Sequence, residues 1–131
     1  MDTVRAYFDG ASRGNPGPAA VGWVITADGA VMTEGHEHIG RATNNVAEYR
    51  ALLAAVDAAL AYAPTRLELR GDSQLIVRQM TGEYRTRDAT LAQLREDVLE
   101  ALDAVQEWSI RHVDREGNAR ADALAAAALD G

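Results

Sequence analysis

Alternating apolar and polar residues near the start of the chain predict a half-buried β-strand. Its apolar positions are Val4, Ala6 and Phe8, whereas Asp9 falls on the polar side, close to the predicted end of the strand. Residues 10–18 follow and are rich in glycine, proline and asparagine. Such a segment is typical of a hairpin loop, but its glycines also let a large ligand approach the backbone. Both interpretations stay open at this point.

Two further strands are predicted before the first helix. Residues 20–25 form an apolar run that ends near the turn sequence Asp28-Gly29, and residues 31–39 resume the strand pattern. The first three strands are therefore expected to form an antiparallel meander. Gly35 and Gly40 weaken the third strand, which favours an outer position in the sheet.

After the third strand the apolar period changes to that of an amphipathic helix. This period predicts a helix over residues 44–62, which Pro64 closes. The remaining predicted elements are a strand over 65–70, a short helix over 74–80, a long helix over 88–106, a strand over 108–113 and a last helix that Asn118 caps.

The order of these elements predicts an α/β fold. We expect a mixed five-stranded sheet, with three antiparallel strands and then two further strands, and with helices on both faces. The length of 131 residues is typical of one domain, which we assign to residues 1–131.

Composition excludes several kinds of site. The chain has no cysteine, so disulfides, zinc–thiolate sites, iron–sulfur clusters and cysteine nucleophiles are excluded. Its 13 basic residues are all arginine, and the absence of lysine excludes a Walker-type phosphate loop. The net charge of −7 argues against a nucleic-acid partner, although arginine suits bidentate binding of phosphate. A lysine-free, acidic composition is compatible with a high-salt cytoplasm and equally with a GC-rich genome.

The sequence contains no sign of a membrane or secreted protein. No apolar run approaches the roughly 20 residues that span a bilayer, and the N-terminus has no signal-peptide pattern. We therefore expect a cytoplasmic protein without a membrane partner, and a monomer.

Four acidic residues lie next to strand ends or helix starts: Asp9, Glu48, Asp72 and Asp122. Each has a structural explanation, since Glu48 can complete a capping box with Asn45, Asp72 can cap a helix, and Asp122 suits a helix N-terminus. Together they favour a site, because ligand crevices of mixed sheets gather at strand ends. Converging carboxylates repel one another unless cations neutralise them, and oxygen ligands suit a pair of Mg²⁺ or Mn²⁺ ions.

Four motifs connect these acids with a known family. They are Asp-Gly-x-Ser-x-Gly-Asn-Pro-Gly at 9–17, Thr-Asn-Asn-x-x-Glu at 43–48, Asp-Ser-Gln at 72–74 and Asn-x-x-x-Asp at 118–122. These motifs and the order of the secondary-structure elements between them resemble type 1 ribonuclease H, and the resemblance covers nearly the whole chain. The resemblance implies hydrolysis of the RNA strand of an RNA–DNA hybrid, with 5′-phosphate and 3′-hydroxyl products.

The resemblance also implies roles for individual residues. The catalytic, metal-binding acids would be Asp9, Glu48, Asp72 and Asp122, with two Mg²⁺ or Mn²⁺ ions as cofactors. Arg41 and Thr43 would hold a phosphate of the DNA strand. The remaining candidates for substrate binding are small or amide-bearing residues within the motifs, namely Gly10, Ser12, Asn15, Asn44, Asn45, Gln74 and Asn118.

Two features depart from bacterial members of that family. Arg115 stands where they often carry a loop histidine that assists product release, as in the archaeal-like branch, so we assign that role to Arg115; the alternative is a solvated loop charge. The basic protrusion is missing, and only Tyr84, Arg85 and Arg87 stand in its place. Hybrid binding is therefore expected to be weak, salt-sensitive or dependent on another domain.

Two histidines and two tryptophans have simpler structural interpretations, and two other functions are compatible with the sequence. His36 and His38 alternate on one strand face and lack an evident third ligand, so an exposed strand face is favoured over a metal site. Trp23 and Trp108 are expected to pack in the core or at its rim. The competing functions are a related nuclease that acts on DNA junctions or double-stranded RNA, and a hybrid-binding module without catalysis.

Overall fold

The computed structural model describes residues 2–131 as one five-stranded sheet with helices against it. The strands are β1 (Thr3–Ser12), β2 (Gly17–Ala27), β3 (Ala30–Ala42), β4 (Arg66–Gly71) and β5 (Glu107–His112). The helices are α1 (Asn44–Leu60), α2 (Gln74–Met80), α3 (Ala89–Leu102) and α4 (Ala119–Asp130), and a 3₁₀ turn at Glu116–Asn118 precedes α4.

The sheet has the predicted mixed topology, with the strand order β3-β2-β1-β4-β5. β1 pairs antiparallel with β2, which pairs antiparallel with β3. β4 lies parallel to β1, and β5 lies parallel to β4. The glycine-containing third strand is at an edge, as predicted. The carboxyl ends of β1, β4 and β5 consequently point to the same end of the sheet.

The larger core lies between the sheet and α1, α2 and α3. Val4, Ala6 and Phe8 of β1 are fully buried there, which confirms the side predicted for them. The helix α1 contributes the predicted Leu52 and Val56, both fully buried. It also buries four alanines spaced by four residues, whose small side chains let the helix lie close to the sheet: Ala47, Ala51, Ala55 and Ala59.

α4 covers part of the opposite face, so helices lie on both faces as predicted. Val24 of β2 packs there against Ala121 and Leu124 of α4, with Tyr7 of β1 beside them. α4 packs on β1, β2 and β3. Arg66 of β4 and its neighbours in β5 on this side remain exposed to solvent.

Several predicted boundaries are wrong. β2 and β3 exceed the predictions because their ladder runs from the Gly17–Ala42 pair to the Ala27–Ala30 pair, and Asp28 and Gly29 form the predicted turn between them. β1 likewise continues past Asp9 to Ser12, and α1 ends at Leu60. Residues 13–16 still connect two antiparallel strands, so the hairpin interpretation was correct for the backbone.

α3 was predicted to extend to residue 106 but ends at Leu102. The backbone then tightens into successive turns, in which Ala104 N–H donates to the Ala101 carbonyl and Val105 N–H to the Leu102 carbonyl. Val105 is buried by this turn. The apolar side chain of Val105 therefore fits the helical spacing, although this residue lies beyond the end of the helix.

The two strand histidines and the two tryptophans lie in the environments that the sequence predicted for them. His36 and His38 are exposed on β3. Trp23 and Trp108 are partly buried against the core. Within residues 2–131, every helix is too short or too polar to cross a lipid bilayer.

Candidate active site

Three carboxylates converge at the carboxyl ends of β1 and β4. Asp9, Asp72 and Asp122 each offer an oxygen atom, and these atoms lie within 4.8 Å of one another. Asp9 and Asp72 are neighbours because Phe8 pairs with Gly71 in the parallel β1–β4 ladder. The sheet register therefore brings together two acids that are 63 residues apart in the sequence.

The third carboxylate, Asp122, belongs to α4, which packs directly against the sheet at Gly22. This glycine is the β2 partner of Asp9. A Cβ atom at position 22 would lie 2.5 Å from the Ala121 carbonyl oxygen and 2.7 Å from the Ala125 nitrogen. Only a glycine permits this close approach, which holds the first turn of α4, and with it Asp122, beside Asp9.

Glu48 enters the same site from α1 on the other face. The N–H group of Gly10 donates a hydrogen bond to Glu48 Oε1 at 2.7 Å, and Glu48 is only 9% exposed. The capping-box interpretation of Glu48 is not observed, because its bonded oxygen accepts from β1. Thr43 caps α1 instead, with its side chain accepting from the Val46 N–H group.

Burial and mutual repulsion raise the pKa values of three of these acids. Burial is the largest cause of the rise at Asp9, followed by the charge of Glu48, and its pKa reaches about 10. Burial also raises the pKa of Glu48 to about 8, although the Gly10 hydrogen bond opposes the rise. The pKa of Asp72 is raised by burial and by Asp122, against a lowering effect of Asn118 and Arg115.

This arrangement fits the binding of hard divalent cations. Carboxylate oxygens within 4.8 Å of one another are suitable ligands for Mg²⁺ or Mn²⁺. Without a cation, the protein must hold protons on buried carboxylates at neutral pH, as the raised pKa values indicate. A bound cation removes that need, so the donor set and the electrostatics point to the same type of ligand.

The raised pKa values predict how stability depends on pH without divalent cations. The folded state retains protons that the unfolded state releases above about pH 4, so stability is expected to fall as the pH rises through the folded pKa values of about 8 and about 10. We expect a loss of several kcal/mol between pH 5 and pH 9. Calorimetric unfolding in the presence of a chelator, at a series of pH values, measures this loss of stability.

Magnesium and a variant provide the controls for this prediction. Mg²⁺ should restore part of the stability at pH 9 and little of it at pH 5, because protons compete for the same oxygens. Asp9→Asn should flatten the dependence in chelator. Identical pH profiles for this variant and the wild-type protein would contradict the assignment to the carboxylate cluster.

The acids line an open cleft of about 500 Å³. Its polar walls come from the last residues of β1, the start of α1, the β4–α2 connection, the loop before α4 and the first turn of α4. The cleft is lined by Asp9, Gly10, Ala11, Ser12, Asn44, Asn45, Glu48, Asp72, Ser73, Arg115 and Asp122.

A hydrogen-bond network fixes the β1–β2 loop to the start of α1. Asn44 Oδ1 accepts from the backbone N–H of Ser12 at 3.2 Å and from its hydroxyl at 3.0 Å. The N–H group of Asn44 donates to Asn15 Oδ1 at 3.0 Å. Three residues predicted to bind substrate are thus brought together at one rim of the cleft. Asn45 lies beside them and is exposed.

Other predicted site residues lie farther from the acids or serve the backbone. Arg41 is exposed and donates to the Pro16 carbonyl at 3.4 Å. Gln74 is exposed at the start of α2, where Ser73 provides the helix cap by accepting from Ile76 N–H at 3.3 Å. Arg115 is exposed at the edge of the cleft.

Asn118 is the N-cap residue of α4, as predicted, but its side chain does not cap the helix. Its amide group makes no cap bond and donates instead to the Phe8 carbonyl at 2.9 Å. Asn118 is 1% exposed, and its Oδ1 atom lacks a hydrogen-bond partner among the described residues. The side chain thus ties the loop before α4 to β1, immediately before Asp9.

Gly22, which determines the position of Asp122, was not among the site residues predicted from the sequence. The available signal was a glycine inside an otherwise apolar strand, a pattern that often marks the close approach of another backbone. Gly10 was proposed as a substrate contact, but a Cβ atom there would lie 2.2 Å from the carbonyl carbon and oxygen of Ala47. Its absent side chain is therefore explained by the packing of α1.

The chain is similar to known proteins over nearly its full length. A family model described as reverse transcriptase-like matches residues 7–128. Ribonuclease HI of Halobacterium salinarum is 57% identical over 128 residues, which cover 97% of this chain and 64% of that protein. The chain therefore spans less than two thirds of the length of this curated relative.

Solved structures share the fold along the whole chain. The crystal structure of RNase H1 from the halophilic archaeon Halobacterium salinarum NRC-1 has a TM-score of 0.95 and 56% identity, and the match covers 98% of both chains. LC11-RNase H1, solved in complex with an RNA/DNA hybrid, has a TM-score of 0.92 and 39% identity. That match covers 97% of this chain and 96% of that chain.

Proposed function

Since this chain belongs to the type 1 ribonuclease H family, we propose that it is an endonuclease that hydrolyses the RNA strand of RNA–DNA hybrids. The observation that carries the proposal is the convergence of Asp9, Asp72 and Asp122, with oxygen atoms within 4.8 Å, at the wall of an open polar cleft. Clustered carboxylates repel phosphate unless cations intervene, so a metal-dependent reaction explains their presence better than simple nucleic-acid binding does.

Two Mg²⁺ or Mn²⁺ ions are the proposed cofactors. Asp9, Glu48, Asp72 and Asp122 would hold them, and Gly10 keeps Glu48 in position through its backbone N–H. Such ions lower the pKa of an attacking water molecule and stabilise negative charge on the leaving oxygen. The water oxygen would bond to phosphorus while the bond to the 3′-oxygen breaks, which gives 5′-phosphate and 3′-hydroxyl ends.

The rim of the cleft is suited to the minor groove of a hybrid. Proteins distinguish RNA from DNA through the 2′-hydroxyl, which the wide minor groove exposes. Ser12, Asn15, Asn44 and Asn45 present hydroxyl or amide groups at this rim, and Gly10 lies behind them. We assign these residues and Gln74 to contacts with the hybrid, with Glu48 also near a ribose hydroxyl.

The remaining roles follow from position. Arg41 and Thr43, just before α1, are assigned to a phosphate of the DNA strand. Arg115 at the cleft edge is assigned to assisting product release. The burial of Asn118 favours a positioning role, in which it holds the end of β1 against the loop before α4. We further propose that the protein acts in the cytoplasm, because a sequence without cysteine fits a reducing compartment, and that it acts as a monomer.

A strand-labelled substrate panel tests the proposed function. A hybrid, a duplex RNA and a duplex DNA of one sequence are incubated with Mg²⁺, with Mn²⁺ and with chelator. We expect metal-dependent cleavage of the RNA strand of the hybrid alone. Cleavage of duplex RNA or branched DNA would favour the related nuclease, and binding without cleavage of any substrate would favour a hybrid-binding module.

A further inference from the structure

β4 and β5 present a polar surface on the side of the sheet that carries α4, beyond the strands that α4 covers. We call this surface the open face. It consists of Arg66, Glu68 and Arg70 on β4 and Glu107, Ser109 and Arg111 on β5. Arg5 of β1 borders it. In a chain with a net charge of −7, these residues bring together four arginines and only two glutamates.

The two glutamates are already paired with arginines at one end of the open face. Arg66 pairs with Glu107 at 3.1 Å, and Arg5 pairs with Glu68 at 2.9 Å. Arg70 reaches Glu68 only at 3.9 Å. Among residues 2–131, no carboxylate lies within 4.0 Å of the Arg111 guanidinium. The positive charge in excess therefore lies at Arg70 and Arg111.

Arg70 and Arg111 are direct partners in the β4–β5 ladder, so their side chains leave the sheet side by side. Arg70 is 6% exposed and is anchored by a hydrogen bond to the Leu69 carbonyl at 2.9 Å. Two adjacent guanidinium groups, one of them fixed by burial, form a site that an anion stabilises.

This pair lies close to the proposed catalytic carboxylates. Arg70 pairs with Tyr7 of β1, and Asp9 lies two residues after Tyr7 on the same side of that strand, a separation of roughly 6.6 Å. The backbone of a nucleic-acid strand advances about 3.4 Å per nucleotide along the helix axis. A strand cut at the carboxylates therefore brings its next phosphates within reach of the exposed Arg111.

We propose that Arg111, supported by Arg70, binds a backbone phosphate of the RNA strand about one to three nucleotides from the cut. The inference rests on the proposed function, because it needs a hybrid seated at the carboxylates. An acidic protein segment is disfavoured, since it would bring further carboxylates next to the four acids. Phosphates of the cleaved strand reach the open face without any additional partner.

Binding measurements with matched arginine variants test this inference. Arg111→Ala should weaken hybrid binding about 5–10-fold and lower the salt dependence by about one phosphate contact, a slope of roughly 0.9. Arg111→Lys should retain part of the affinity. Arg66→Ala removes the same charge from the same face but next to Glu107, and we expect it to bind as wild type does. Equal affinities for the Arg111→Ala and Arg66→Ala variants would overturn the proposal.

Neutral linkages in the RNA strand locate the contact. In a series of hybrids, one RNA phosphate at a time is replaced by methylphosphonate, and binding is measured in an Asp9→Asn background to prevent cleavage. The penalty of Arg111→Ala should vanish at one position near the cut, because the charge that it contacts is already removed. An equal penalty at every position would show a diffuse effect and overturn the inference.

The two proposals fail in distinguishable ways. If the wild-type protein neither binds nor cuts the hybrid, the proposed function falls and the inference falls with it. If the wild-type protein cuts the hybrid and Arg111→Ala changes neither affinity nor its salt dependence, only the inference is wrong.

Discussion

Replacing Asp9 by asparagine is expected to reduce hybrid cleavage by a factor of about 10³ or more while leaving hybrid affinity within about threefold of wild type. Asp9 is close to both Asp72 and Asp122, so its loss removes a ligand that the proposed cations share. The contacts at the cleft rim are unchanged, because Ser12, Asn15 and Asn44 bond to one another and not to Asp9.

Single-turnover cleavage and equilibrium binding of one labelled hybrid measure the two effects separately. Asp103→Asn removes the same charge from an exposed position after α3 and should cleave as wild type does. The Asp9→Asn protein should unfold at an equal or higher temperature without cations, since it no longer carries a buried acid with a pKa of about 10. Cleavage within tenfold of wild type would remove Asp9 from the mechanism.

The four acids could be found from the sequence because simple rules determine their positions. Asp9 lies near the end of β1 and Asp72 directly follows β4, and parallel neighbours end at the same side of a sheet. Their distances from one another could not be predicted, because these depend on how closely α1 and α4 approach the sheet. Gly10 and Gly22 set that approach, and a glycine in a strand does not reveal which backbone will lie against it.

The core of α1 shows a related limit. Its large apolar residues were identified by helical spacing, and Leu52 and Val56 are buried as expected. The four buried alanines along the same helix were not predicted, because alanine is common on exposed and buried helix faces alike. These small residues bring α1 close enough for Glu48 to bond to β1. The alanine spacing is a weak signal in the sequence, but it has a large effect on the structure.

Asn118 illustrates a different ambiguity. An asparagine before a helix is a frequent N-cap, and the sequence offered no reason to prefer another role. In the structure its amide bonds to the carbonyl of Phe8, which is 110 residues earlier. The side chain therefore makes a tertiary hydrogen bond in place of a local cap bond, and its partner is in position only once the sheet has formed.

Gly10→Ala is expected to lower stability by about 3 kcal/mol and to reduce cleavage about 10–100-fold, more strongly at low Mg²⁺ concentration. The added Cβ atom would lie 2.2 Å from the Ala47 carbonyl group and 2.4 Å from the Glu48 nitrogen, and both are backbone atoms of α1 that cannot rotate away. α1 must therefore move off β1. That movement lengthens the hydrogen bond between Gly10 and Glu48 and withdraws a proposed cation ligand.

Denaturant unfolding and the Mg²⁺ dependence of cleavage, measured well below the unfolding transition, separate the two effects of Gly10→Ala. Gly117→Ala is the control for stability, because its Cβ would meet side-chain atoms and no backbone, at 3.2 Å from Asp114 and 3.4 Å from Val113. Extra Mg²⁺ should recover part of the lost activity, since the other three acids remain in place. A variant with wild-type stability and wild-type Mg²⁺ dependence would show that the β1–α1 contact does not position Glu48.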